Sequence, residues 1–468
     1  MWRIARWPLA LLLLGFLVLL AVNAFDERLS PQAQAMLRAP DNPYSDEQNL
    51  YVLLAGMNAP AGESMLDHGR QNIREFAAKL AAGPGAKAPA TIATSPRAEP
   101  LRIETGSVLW NKQEKSVWDM ARDDAQKFES LATRYQELLG RYEALHGSMG
   151  YVETLRPVAT APFFSAPRDL RTLYLADLAV RIRSGKPAEQ TRALQSLAAD
   201  LTLWQRMLQG EGGLLSKMVA IGNIRADLLL LSDLVADPAV PLEVVAASMG
   251  LWLAPLPVDD WKIGKVFASD FRQQAEIFQS LYENADLPPP WQPRLARLAS
   301  WSYLPNATLN VVAARAHALS TLSDTDLATL PQRMRAFDAD RIAALSISFP
   351  TVLRNPVGKV LLRMATPAYA DYPIRAFDVA AVQRAVALAY QIRAQDVAPA
   401  DVPVFMREHP EWATHPLGNA PLVWNAETLE LRVPQQVQHH RAGRFAVRVA
   451  RTRSAAGQAL AMNFNRND

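Results

Sequence analysis

The sequence predicts a mainly α protein: a multi-helix bundle or irregular helical array with a small C-terminal β element, preceded by one N-terminal transmembrane helix or signal peptide. Three observations predict it. An uncharged apolar run, Trp7–Ala24, follows Arg3 and Arg6. Between Lys115 and Ala394, segment after segment repeats apolar residues at spacings of three and four, the period of one helix face. After about Asp396, prolines interrupt that pattern and two short alternating runs follow. These shifts divide the chain into 1–24, signal anchor or signal peptide; 25–100, a membrane-proximal segment and Pro/Ala-rich linker; 101–395, a helical domain; and 396–468, a Pro-rich, short-strand C-terminal module.

The first run, WPLALLLLGFLVLLAVNA, has roughly 18 residues, near the length that crosses a bilayer core as a helix. As an uncleaved anchor it has a long leucine-dense core. As a signal peptide it has a basic start and the small-residue pattern Val22-Asn23-Ala24, which would release the chain after Ala24. In either case Arg3 and Arg6 stay cytoplasmic under the positive-inside tendency, and the remainder is exported. No later stretch reaches this length without charges, so a single pass is expected.

Residues 25–48 are polar and Pro-punctuated, with room for one short helix. Leu50–Ala55 is apolar and closes at Gly56, reading as a short strand or a helix start; Leu66–Leu80 then puts Ile73, Phe76, Ala77 and Leu80 on one helical face. Residues 83–100 read as a linker or long loop. From Lys115 to His146, the residues Phe128, Leu131, Tyr135, Leu138, Tyr142 and Leu145 form one stripe. It predicts a long helix packed in a bundle, with a coiled-coil seam of about three heptads as the alternative.

Further helices are expected over Asp169–Arg183, from Lys186-Pro187 to Gly210, and over Leu214–Val235, Val240–Gly250, Trp261–Asn284, Leu304–Leu322, Leu327–Leu345 and Val379–Ala394. Asp260 and Asp378 stand where N-caps for Trp261 and Val379 would stand. No repeat supports a TPR or HEAT array, although paired helices leave a solenoid open. Leu429–Val433 and Phe445–Val449 alternate as half-buried strands do.

Composition excludes several chemistries. The chain has no cysteine, which removes disulfides, cysteine nucleophiles, thiolate metal sites and lipoprotein-type lipidation. The net charge of +3, from 49 basic and 46 acidic residues, is too small to imply a polyanionic partner. His409 and His415, with Glu408 and Glu411, are the densest potential metal ligands, but their spacing and Pro410 do not give an i,i+4 pair, and a solvated loop is expected. His439-His440 beside Arg441 reads as a surface pair. Asp259-Asp260 reads as a helix cap rather than as a catalytic carboxylate pair, which needs a set separation across a cleft. Gly210-Glu211-Gly212-Gly213 lacks the Lys and Ser/Thr of a phosphate loop and reads as a helix–helix turn. No Gly-x-Ser-x-Gly elbow or dinucleotide fingerprint is present. The arginines of the tail, Arg432, Arg441, Arg444, Arg448, Arg451, Arg453 and Arg466, read as solvated faces, with lipid headgroups or an envelope component as the lesser alternative; nucleic acid is not an expected partner.

From Val379 to Val433 an arrangement is familiar. A helix, AVQRAVALAYQIRAQD, leads to ADVPVFMREHPEWATHP, then LGNAPLVWNAETLELRVP and a short strand. This resembles the closing module of uncharacterised single-pass bacterial envelope proteins with a helical body and an Asp-Pro-Phe-x-Gly-x-Pro-Leu-like element. Pro416, Leu417, Pro421, Leu422, Trp424 and Leu431 occupy matching places. His415 stands where the acidic residue would be, and Gly418 comes one position early with Asn419 in its place. The resemblance covers about an eighth of the chain and implies an envelope location, with no activity to carry over.

The expectation is therefore a membrane-tethered, exported scaffold or protein-interaction protein on the periplasmic side of a bacterial inner membrane. It would be held by its N-terminal helix and partnered by another envelope protein, with no cofactor, no metal and no catalytic residues to name. The alternative is an envelope hydrolase acting on peptidoglycan or another glycan, its carboxylates assembled only in the fold across a cleft.

Overall fold

Two helices with almost no polar face, Leu214–Ala236 and Asp371–Ala394, hold the centre of the molecule. A helix of that kind has to be covered on all sides, and the rest of the chain supplies the cover. The computed structural model describes residues 6–81, 115–155, 165–283, 302–324, 326–344, 353–365, 368–437 and 445–450.

In chain order the first helices are α1 (Arg6–Asn23), α2 (Pro31–Leu37), α3 (Leu50–Ala55), α4 (Met65–Ala81), α5 (Val117–Asp123), α6 (Ala125–Arg134) and α7 (Gln136–Ala144). Then come α8 (Ser165–Arg183), α9 (Pro187–Gln209), α10 (Leu214–Ala236), α11 (Leu242–Met249) and α12 (Val266–Glu283). The last are α13 (Pro305–Ser323), α14 (Leu330–Ala344), α15 (Pro356–Ala365), α16 (Asp371–Ala394), α17 (Val402–Glu408) and α18 (Pro410–Ala413). Three strands, β1 (Val423–Asn425), β2 (Glu430–Arg432) and β3 (Ala446–Arg448), form one antiparallel sheet in that order. The mainly α class with a small C-terminal sheet is what the helical periodicity predicts.

Helix α10 lies between α9 and α16; α8 packs on α9, and α5, α6 and α7 lie along α8. Helices α12 and α13 pair, α2 rests on both, and α15 sits on α13. The last approach is close: a Cβ on Gly358 would lie 2.2 Å from Thr308 Oγ1. Strand β3 packs on α10 and α16. Leu431 of β2 faces Trp424 of β1 and Val447 of β3, and both Leu431 and Val447 join the same core as Leu50, Trp118, Leu228 and Val386.

The residues 115–146 stripe is buried as expected at Phe128, Tyr135, Leu138, Tyr142 and Leu145, but the long helix is not continuous. Asp124 (φ −129°) and Tyr135 (φ −107°) leave helical geometry and split it into α5, α6 and α7. The period survives because each break adds a bend without moving the apolar side off α8. Leu50–Ala55 is a helix, capped by the Asn49 side chain on Tyr51 N–H.

The expected caps are corrected. Asp378 lies inside α16, which starts at Asp371, and is fully buried. Asp259 and Asp260 lie in a 3₁₀ turn, Val258–Trp261, and α12 starts only at Val266. Asp259 instead pairs with Lys262 at 2.7 Å, and Asp260 accepts from Gln209 of α9 at 3.1 Å.

The expected span Trp7–Ala24 coincides with α1, whose described side chains, Leu14–Asn23, make a short apolar helix; among the described residues no single helix is long and apolar enough to cross a membrane. Leu14, Phe16, Leu17 and Val18 are exposed, and the helix ends on the body at the buried Asn23. The linker of residues 83–100, Arg3, and the His439-His440 pair with Arg441, Arg444, Arg451, Arg453 and Arg466 lie outside the described residues.

Candidate functional site

Among the described residues, two of the concentrations of carboxylates stand at the ends and faces of α9 and α10. The first is in the core between α7, α8, α9 and α10. Helix α10 carries Asp227 and helix α9 carries Asp200, both with no exposure, and Arg171 of α8 reaches both. Its Nη2 donates to Asp227 Oδ1 and, at 2.8 Å, to Asn223 O; its Nε is 3.4 Å from Asp200 Oδ2. Tyr142 OH donates to Asp200 Oδ1 at 2.8 Å, and His146 Nε2 lies 3.4 Å from the same oxygen. Trp204 lies under the guanidinium at 5.8 Å.

This electrostatic arrangement separates the two acids. Burial pushes Asp200 up, but the His146 contact and Arg171 outweigh it and hold Asp200 below the usual carboxylate value. Burial drives Asp227 well above that value; Arg171 offsets only part of this, and the Asp200 charge adds to it. Two carboxyls in one apolar site behave this way because the second negative charge is the costly one. The centre thus favours one negative charge on the acids, opposite one guanidinium.

The second concentration surrounds the α9–α10 turn, Gly210–Gly213, which is the helix–helix connection its sequence predicts. Residues 150–153 run beside it: Glu211 N–H donates to Tyr151 O and Glu153 N–H to Glu211 O, both at 2.8 Å. The closeness excludes side chains, since a Cβ on Gly210 would lie 2.3 Å from Tyr151 O. Two acids then complete the N-terminus of α10: Glu153 accepts from Gly213 N–H and Asp270 from Leu214 N–H, each at 3.0 Å. Both replace the side-chain cap that Gly213 lacks, where the first free N–H groups of a helix favour negative charge. Lys217, one turn into α10, is buried and donates to Met207 O at 2.9 Å and to Gly210 O, closing the end of α9. Burial brings its ammonium down to about 8.

The two capping acids face different spaces. Glu153 also accepts from Tyr151 OH at 2.8 Å, and it lines an open cleft of about 470 Å³ with Glu276, Asn42 and Thr154. Asp270 lines a narrow cavity of about 20 Å³ with Gln274, Arg315 and Tyr369, room for about one water. Burial pushes Asp270 up to about 6.

The metal-ligand candidates singled out from the sequence do not form one cluster among the described residues. His409 lies 3.3 Å from Glu411 and stacks on Trp412 with ring centroids 4.9 Å apart. His415 is not in a solvated loop, as expected, but fully buried. Its Nδ1 accepts from Leu417 N–H at 3.0 Å, so Nε2 carries the proton toward Asp378 Oδ1 at 3.1 Å; Gln436 N–H donates to the same oxygen at 3.0 Å. Gly418 (φ 70°) and Asn419 (φ 54°) form the left-handed turn between the bridged Thr414 and Pro421. That accounts for a glycine one position early, because both residue types tolerate positive φ. No cluster of three or more metal-ligating side chains occurs among the described residues. Arg432 is exposed, as a solvated face requires, but Arg448 is not so placed: it pairs with Asp119 at 3.0 Å and Asp233 at 2.9 Å, tying the sheet to α5 and α10.

Arg171, Asp200, Glu153 and Asp270 were missed by sequence reasoning. One signal was available: Lys217, Arg225, Asp227 and Asp233 sit in a largely apolar helix, and charges there need partners from elsewhere.

No family model, no curated protein and no solved structure matches the chain.

Proposed function

We propose that the chain is a single-pass, exported scaffold of a bacterial inner membrane, with its helical body on the periplasmic side holding another envelope protein. The observation that carries the tether is the junction after the apolar helix. Asn23 Nδ2 donates to Leu353 O and its Oδ1 accepts from Asn355 N–H, both at 2.7 Å. Arg354 Nη1 donates to Val22 O at 2.8 Å. Asp26 accepts from Asn306 and Ala307 N–H at 2.7 and 3.1 Å, capping α13. Both sides of the Val22-Asn23-Ala24 pattern are therefore part of the fold, which favours a retained anchor over a removed leader. The role as a scaffold is supported by the way the described carboxylates are used: Asp200, Asp227, Asp233 and Asp378 bind other parts of the chain.

The test is alkaline extraction of membranes from cells making the full chain, with N-terminal sequencing. Retention in the pellet with the first segment intact is expected; a released chain starting at Phe25 overturns the tether. For the scaffold, a photo-crosslinker placed at successive exposed positions should trap one recurrent partner from one face. Uniform, non-recurrent products overturn it.

One observation favours a second reading, a hydrolase acting on peptidoglycan or another glycan: the cleft has two acids on its wall, Glu153 and Glu276. Against it, Glu153 already holds Tyr151 and Gly213. Turnover of cell-wall glycan by the purified chain, lost in Glu276→Gln, would establish it.

A further inference from the structure

Beside the junction just described, one short helix presents a mixed face to solvent. Helix α15 begins at Pro356, directly after Asn355, the residue that holds Asn23. Asn355 also fixes the corner internally: it takes a positive φ of 52°, accepts from Leu304 N–H at 2.9 Å and Gly358 N–H at 3.2 Å, and donates to Thr308 Oγ1 at 2.9 Å. The N-terminus of α15 and the C-terminus of α1 are thereby one rigid corner, and α15 extends only about 15 Å from it.

The inner side of α15 is used up: Gly358 and Leu362 are buried against the body. The outer side carries Lys359, Val360, Arg363 and Met364, positions that neighbour one another at helical spacings of three and four. Val360 is 45 % and Met364 80 % exposed, although both are apolar. Phe25, two residues beyond Asn23, is 82 % exposed. Cations collect here as well. Lys359 and the exposed Arg363 carry positive charge on the same outer face as Val360 and Met364.

An exposed mixture of apolar and cationic side chains on a short helix suits the boundary between lipid headgroups and acyl chains. The apolar helix enters the body at the same corner. We infer that the outer face of α15, with Phe25, rests in the anionic headgroup layer of the membrane and fixes the tilt of the body over it. This rests on the tethered reading above. It goes further by naming the surface that meets the lipid and the lipid chemistry that it prefers.

The absence of cysteine from the chain makes the test clean. Single-cysteine variants of the full chain, Phe25→Cys, Val360→Cys and Met364→Cys, would carry an environment-sensitive fluorophore. Leu251→Cys and Val423→Cys, at exposed positions elsewhere, are the references. Each is reconstituted into phosphatidylcholine vesicles with and without phosphatidylglycerol, containing a lipid-borne nitroxide quencher. With phosphatidylglycerol, quenching at 25, 360 and 364 should exceed the reference positions by about threefold or more, and the excess at 360 and 364 should shrink without it. Lys359→Glu with Arg363→Glu should bring 364 to the reference level while the protein still floats with the vesicles.

Quenching at 360 and 364 equal to the references, in protein that floats, overturns this inference and leaves the tether standing. Protein that does not float overturns both. Shielding of 364 that grows with protein concentration in detergent, without vesicles, assigns the face to a second copy of the chain and overturns the lipid assignment.

Discussion

The Arg171 centre and the α9–α10 turn each gather acidic side chains inside the helical body, and they neutralise them differently. At the first, an arginine is brought from a third helix and both acids are sealed from solvent. At the second, Glu153 and Asp270 are offset by the N-terminus of α10, and Glu153 lines the open cleft while Asp270 lines a narrow cavity. The contrast teaches that a dense carboxylate pair is not by itself a working site. Asp200 and Asp227 have the separated proton affinities that acid–base chemistry needs, yet both side chains are fully buried and engaged by Arg171. The acids next to a cleft are the ones with ordinary capping duties.

The largest expected effect separates these two modes. Arg171→Met leaves Asp200 and Asp227 buried without their cation, and breaking a buried pair from one side costs about 3–5 kcal/mol. Replacing Arg171, Asp200 and Asp227 together by apolar residues of similar size should recover most of that loss, because no charge is then stranded. Urea unfolding of the single and triple variants decides it. A single variant as stable as the parent would mean that the centre is not the closed, charge-balanced unit its geometry indicates.

The turn should show itself through pH. Asp270 has a folded-state pKa of about 6 against an ordinary value of 3.8, so the folded chain holds this proton more tightly than the unfolded chain. Its contribution is fully present below the unfolded value and is lost as pH rises through about 6. Two units correspond to about 3 kcal/mol. Asp270→Asn can still accept from Leu214 N–H, so it should flatten unfolding free energy between those two values and raise stability at pH 7.5. An unchanged pH profile would show that Asp270 is better solvated than its surroundings imply.

A third device lies between the two extremes. His415 and Asp378 clamp the C-terminal loop to α16 through one imidazole N–H and two backbone amides. Asp378→Ala strands the His415 imidazole N–H and Gln436 N–H and should cost about 2 kcal/mol, whereas Asp378→Asn keeps an acceptor and should cost less than about 1 kcal/mol. Equal losses would show that charge, not hydrogen bonding, holds the clamp. Hydrogen exchange over residues 413–433 is the direct readout.

Periodicity made the helices legible, and it did so even across the breaks at Asp124 and Tyr135, because a bend between helices leaves the apolar side where it was. Local chemistry read alone misled at Asp378 and Asp260. Each precedes apolar sequence as a cap would, but their partners are His415 and Gln209, distant in the chain. Arg448 misled for the same reason: it alternates with apolar neighbours as a solvated residue does, while Asp119 and Asp233 come from α5 and α10. Strand β1 does not alternate in burial, with Val423 exposed and both Trp424 and Asn425 half-buried, so its sequence carries no strand signal. The charges of α10 signalled that partners were needed, but not which ones, because Asp200 and Arg171 sit at ordinary helical positions and only the fold makes them neighbours.

The smallest stability effect carries the most functional weight. Glu276 is only partly buried on α12 and borders the cleft with Glu153, so Glu276→Gln should change stability by less than about 0.5 kcal/mol, as surface substitutions do. Glu153→Gln must cost more, since it weakens the acceptor for both Tyr151 OH and Gly213 N–H. If the cleft is only a gap between packed elements, neither variant alters any glycan-directed activity, and their stabilities differ in that order. If the cleft is a working site, Glu276→Gln abolishes turnover of cell-wall glycan while unfolding at the parent's midpoint. That dissociation of activity from stability is the result a purely structural carboxylate would not give, and it would transfer the functional centre from the outer surfaces of the helices to this cleft.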